Sequence, residues 1–106
     1  MDVKLEEVHE KDQIVIRTQN SEYKFSVIDP HSRMGVLTGG SLGDQERESV
    51  LVGSLQGTSS SVSADSARLK PGARVLFYLS ANKGVERLLT SAVTDIVHLH
   101  EHKHAA

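Results

Sequence analysis

The sequence predicts an all-β fold: a small antiparallel, partly open β-barrel or sandwich of about 5–7 short strands. Three observations support this. Short runs of Ile, Val, Leu and Phe alternate with polar residues, which is the period of a strand with one buried face. Clusters of Gly, Asn, Asp, Ser and Pro punctuate those runs every 8–12 residues or so, as in small β domains. The aromatic content is only 4%, so a core has to be built from aliphatic side chains. At 106 residues the chain suits one domain and is too short for a barrel of alternating strands and helices or an α/β hydrolase.

The first twelve residues are acidic, and Val3, Leu5 and Val8 fit either a weak helical stripe or one short strand. Ile14-Val15-Ile16 is β-branched and forms the first clear strand. The polar turn Gln19-Asn20-Ser21-Glu22 leads into a second, with Tyr23, Phe25 and Val27 on its core face. Asp29-Pro30-His31-Ser32 closes that hairpin. Val36-Leu37-Thr38 is the third strand, ended by Gly39-Gly40. Val50-Leu51-Val52 and Leu55 make the fourth, with Gly53 as a bulge.

The serine-rich stretch 57–67 offers little apolar surface to offset its ordering entropy and is expected to be a flexible loop. Lys70-Pro71-Gly72 turns into what is expected to be the longest strand, where Ala73, Val75, Phe77 and Leu79 share a face. Ala81-Asn82-Lys83-Gly84 returns the chain into Val85–Leu89 as a second hairpin. Residues 91–100 fit a short C-terminal helix or a strand, and the β character of the rest favours the strand. The organisation expected is a single domain over residues 1–97 followed by a histidine-rich tail, 98–106.

Composition excludes several kinds of chemistry. With no cysteine, disulfides and thiolate metal sites are ruled out, and a cytoplasmic setting is expected. The N-terminal residues do not resemble a secretory signal, and no apolar run approaches the roughly 20 residues of a membrane span. Twelve Lys and Arg against fourteen Asp and Glu leave a formal charge of −2, too small to indicate nucleic acid or membrane by itself.

Four histidines, His98, His100, His102 and His104, occupy alternate positions. On a strand they project to one side about 7 Å apart, and on a helix they form two i, i+4 pairs. Either geometry lets two imidazoles share a divalent transition metal such as Zn or Ni. Their only nearby acid in the sequence is Glu101. A solvated tail, or a pH-responsive one, are the competing readings.

Arg68, Lys70, Arg74, Lys83 and Arg87 form a basic stretch against Glu86 alone. It is a candidate nucleic-acid surface, but Tyr78 is the only aromatic available for base stacking, which disfavours that partner. The acidic start and this basic stretch suit a protein partner or a second copy of the chain instead. Gly39-Gly40-Ser41-Leu42-Gly43 matches the spacing of a hydrolase nucleophile elbow, but no helix pattern of adequate length follows it. The pattern Arg17-Thr18-x-Asn20-Ser21-x-Tyr23, with Leu37-Thr38-Gly39-Gly40, resembles that of short bacterial proteins, a likeness that implies no activity and no binding residue. The expected function is therefore a non-catalytic interaction or accessory module. The alternative is a ligand-binding module using metal at the histidines or nucleic acid at the basic stretch.

Overall fold

The computed structural model describes residues 2–58 and 61–100, and only the backbone of residues 57–58 and 61–63. Strand β1 (Val3–Lys4) runs into a 3-10 turn at Leu5–Glu7, and β2 (Gln13–Thr18), β3 (Glu22–Asp29) and β4 (Met34–Gly39) follow as an antiparallel meander. A second 3-10 turn, Gly40–Leu42, precedes β5 (Arg47–Thr58) and β6 (Ser61–Asp65). Then come β7 (Arg68–Leu69), β8 (Arg74–Ala81), β9 (Gly84–Leu89) and β10 (Val93–Leu99). The main sheet runs β10-β2-β3-β4-β5-β8-β9, with β6 also paired to β5, while β1 pairs separately with β7.

This is the all-β architecture expected, and the alternation decides which residues fill it. Ile14 and Ile16 on β2, Tyr23, Phe25 and Val27 on β3, and Leu37 on β4 all point inward. Val75, Phe77 and Leu79 of β8 meet them from the other side, and the Phe25 and Phe77 rings lie 5.5 Å apart. The N-terminal segment, too short to show a period of its own, places Val3, Leu5 and Val8 over the same core. The sheet curls until its ends approach. The Val93 amide donates to the Ala73 carbonyl at 2.8 Å and the Gly72 amide to the Val93 carbonyl at 2.8 Å. Thr90 adds a side-chain clasp, its hydroxyl accepting from the Val75 amide at 2.9 Å and donating to the Ser91 carbonyl at 2.8 Å. Closure is thus made between β10 and the start of β8, which leaves β9 outside it as a partly open edge.

The structure differs from expectation in three places. Residues 61–65 of the serine-rich stretch are a strand paired to β5 in the register Leu55–Ala64 and Ser54–Asp65, because main-chain hydrogen bonds need no apolar side chain. That pairing makes β5, with 12 residues, longer than the 8-residue β8. Of the two readings open for residues 91–100, the favoured strand is the one observed, over 93–99, and its pairing to β2 covers Val93 and Ile96 on the core side. His98 and Leu99 belong to that strand, so the ordered domain continues past residue 97.

Gly53 and Gly40 are among the glycines required by their surroundings. Gly53 lies at the register shift in β5 with φ 146°, and the Asp65 carbonyl occupies the space a Cβ would need. Gly40, at φ 51°, has the Tyr23 ring where its Cβ would stand. The spacing of glycines around Ser41 therefore serves a tight turn against Tyr23, and Ser41 itself is exposed. No helix among the described residues is long and apolar enough to cross a membrane.

Candidate metal centre at Asp12, His98 and His100

The pairing of β2 with β10 determines what can meet at one end of the sheet. Ile96 lies opposite Ile16, His98 opposite Ile14 and Leu99 opposite Gln13. One step further along this register puts His100 opposite Asp12. Because side chains alternate, Asp12 is in phase with Ile14 and Ile16, and His98 and His100 are in phase with Ile96. A carboxylate and two imidazoles thus end the same inward-facing rows that fill the core.

Asp12 is fixed before any ligand is considered. Its carbonyl accepts from the Val27 amide at 2.9 Å and the Lys11 amide donates to the Val27 carbonyl at 2.9 Å, extending the β2–β3 ladder. Its own amide donates to the His9 carbonyl at 3.1 Å, closing a turn in which Lys11 takes φ 73°. Buried Val8 anchors the turn on the core. The carboxylate, only 3% exposed, turns back to accept the His9 amide on Oδ2 at 2.9 Å.

The same oxygen receives both rings. His98 Nε2 lies 2.8 Å from Asp12 Oδ2 and His100 Nδ1 lies 3.1 Å from it. Exposure rises from Asp12 through His98, at 15%, to His100, at 55%, so the cluster faces outward at one side. The two rings are 4.1 Å apart and tilted by 48°, and the His9 ring lies 6.3 Å from that of His100. Burial raises the Asp12 pKa. The His9 amide, the His98 hydrogen bond and the nearby charges of His100 and His98 together outweigh it and hold the carboxyl below its ordinary value of 3.8. A low carboxyl pKa keeps an anionic oxygen ready at neutral pH.

The three donor atoms all lie within 4.8 Å of one another. Compared with known protein families, curated proteins and solved structures, the chain matches none. The chemistry of the cluster therefore rests on its own geometry. Two imidazole nitrogens and one carboxylate oxygen form a borderline-hard donor set suited to Zn²⁺, Ni²⁺ or Cu²⁺. Ligand atoms around a tetrahedral ion with bonds near 2.0–2.1 Å are separated by about 3.3 Å. The two nitrogen–oxygen separations, 2.8 and 3.1 Å, need to open by only a few tenths of an ångström, and the two ring nitrogens lie within 4.8 Å of each other. An open groove lined by Lys4, Glu7, Asp95 and Val97 runs past both rings.

Of the four histidines singled out by spacing, His98 and His100 enter this cluster, while His102 and His104 lie outside the described residues. Asp12 is far from the histidines in sequence, where Glu101 is their only nearby acid. A signal was present: an aspartate in phase with Ile14 and Ile16 stands on the core face of a strand, where a carboxylate needs partners.

The basic residues are not gathered in the same way. Arg68 sits on β7 opposite Lys4, Lys70 lies 3.9 Å from Asp65, and Arg74 and Lys83 flank opposite ends of β8. A strand of this length separates them by more than about 20 Å. Arg87 is on β9, directly opposite Tyr78.

Proposed function

We propose that the chain is a non-catalytic binding module that holds one divalent transition metal through Asp12 Oδ2, His98 Nε2 and His100 Nδ1. The observation that carries this reading is the convergence of both rings on a single buried carboxylate oxygen. That oxygen also accepts the His9 amide, so three nitrogens approach an atom with about two lone pairs. A cation replacing the two ring protons relieves that crowding. The His9 amide would then orient the carboxylate, as outer partners of metal ligands commonly do. Cysteine-free composition suits such a site in a reducing, cytoplasmic compartment. A non-catalytic role is supported by the exposed Ser41 on a tight turn, which lacks the following helix that a nucleophile elbow requires.

Calorimetric titration of the metal-free chain with Zn²⁺ and Ni²⁺ tests this. One ion per chain is expected, with affinity falling roughly tenfold or more in Asp12→Ala, in line with the loss of a ligand or its support. The His102→Ala/His104→Ala double variant should retain binding. Binding that survives Asp12→Ala and disappears in the double variant would transfer the metal to the tail and overturn the proposal.

A further inference from the structure

Strand β9 pairs with β8 on one side and with no other strand among those described. It lies outside the β10–β8 closure, and five of its six residues are exposed. Edge strands carry a row of free amides and carbonyls, and proteins usually blunt them. Here the outward side chains of the edge are Val85, 68% exposed, Arg87, and Leu89, 42% exposed. The apolar surface continues inward across the sheet. Tyr78 lies opposite Arg87 and Val50 opposite Tyr78, both large and exposed, while Leu76 lies opposite Leu89. Arg87 sits in the middle of this face, and no carboxylate among the described residues forms an ion pair with it. Its neighbour Glu86, on the other face, has Arg47 at 3.7 Å.

The charge pattern selects among occupants. Two copies of an antiparallel edge strand join about a two-fold axis perpendicular to the sheet, so one residue must face itself. The register that sets Val85 against Leu89 of a second copy brings Arg87 against Arg87. The other register that pairs five residues of β9 brings Glu86 against Glu86, and registers centred on Val85 or Leu88 pair only three. Like charges directly opposite one another destabilise a ladder, so the edge discourages its own copy. We infer that β9 instead accepts an extended acidic peptide as an added antiparallel strand, with the pattern apolar-x-acidic-x-apolar. The acidic side chain stands opposite Arg87, and the flanking apolar ones stand opposite Val85 and Leu89. Main-chain hydrogen bonds supply affinity, and the alternate side chains supply selectivity. This inference is independent of the metal centre, which lies on β2 and β10.

The test is fluorescence anisotropy of the intact protein with a labelled probe, acetyl-Thr-Val-Thr-Glu-Thr-Leu-Thr-amide, and with its Glu-to-Lys counterpart. The glutamate probe should bind more tightly by roughly tenfold, the ratio expected when an attractive cross-strand pair becomes a repulsive one. Arg87→Glu, an exposed substitution whose folding is checked by circular dichroism, should reverse that preference. Val85→Lys should weaken binding of the glutamate probe. Equal binding of both probes, or binding of neither, overturns the proposal. So does a concentration-dependent dimer in sedimentation that Val85→Lys abolishes, since a second copy would then own the edge. An oligonucleotide that displaces the glutamate probe, with affinity lost in Arg87→Glu, would assign the surface to nucleic acid instead.

Discussion

His98 Nε2 and Asp12 Oδ2 stand 2.8 Å apart, although 86 positions separate the two residues in the chain. The contact joins the last described strand to the turn that precedes the second. It is a covered carboxylate–imidazole pair, and its consequences for stability have a definite sign.

The Asp12 carboxyl is held below its ordinary value of 3.8, so the native protein binds fewer protons there than the unfolded chain does. Its contribution is fully present above the unfolded value and is lost as pH falls through the native one. Urea unfolding followed from pH 7 down to about pH 2 should show stability dropping below about pH 4. In Asp12→Asn that acid limb should flatten. An unchanged acid limb in the variant would remove Asp12 from the source of the effect.

Metal binding to the native state alone raises apparent stability by mass action. At a free ion concentration one hundred times the dissociation constant the gain is about 2.7 kcal/mol. For a domain of this size that corresponds to a rise in Tm on the order of 10 °C. Differential scanning calorimetry with and without Zn²⁺ should show it for the wild type, and His98→Ala should abolish it.

Thr90 extends the β8–β9 ladder, its amide donating to the Val75 carbonyl and its hydroxyl accepting the buried Val75 amide. Thr90→Val keeps the shape and removes the acceptor. Leaving that amide without a partner should cost about 1–3 kcal/mol, read as a lower urea midpoint with an unchanged slope. A midpoint equal to that of the wild type would mean that the Val75 amide loses nothing when the hydroxyl is removed.

Ser49 is 2% exposed, and among the described residues its hydroxyl has no hydrogen-bond partner. It faces Gly35 on β4 and Leu79 on β8. Ser49→Ala should leave stability unchanged or raise it by about 1 kcal/mol, because an unmade buried hydrogen bond carries a desolvation cost. Destabilisation by a similar amount would imply a partner such as an ordered water.

Local chemistry accounts for what the sequence revealed. The Tyr23/Phe25/Val27 face, the Asn82-Lys83-Gly84 turn and the Gly53 bulge each depend on neighbours within a few residues, so period and turn propensity suffice to find them. The N-terminal segment resisted because a two-residue strand and a single 3-10 turn are too short to display a period. The strand at Ser61–Asp65 resisted for another reason. Composition registers apolar burial, whereas this strand is held by its ladder to β5. The phase of Asp12 with Ile14 and Ile16 marks it as a buried carboxylate, but its partners arrive through the β2–β10 register, which no local window contains.

The β2–β10 ladder also bears on how the chain folds. Contacts such as Thr94 Oγ1 to the Arg17 carbonyl, 3.1 Å long and spanning 77 positions, demand that nearly the whole chain be present. Closing such long loops is slow, and folds dominated by distant pairings take milliseconds to seconds. During synthesis the edge of β2 along Ile14–Ile16 stays uncovered until residues 93–99 leave the ribosome, an interval in which a chaperone or a stray strand can occupy it. The same late event delivers both imidazoles to Asp12, so the three side chains come together only once the fold is complete.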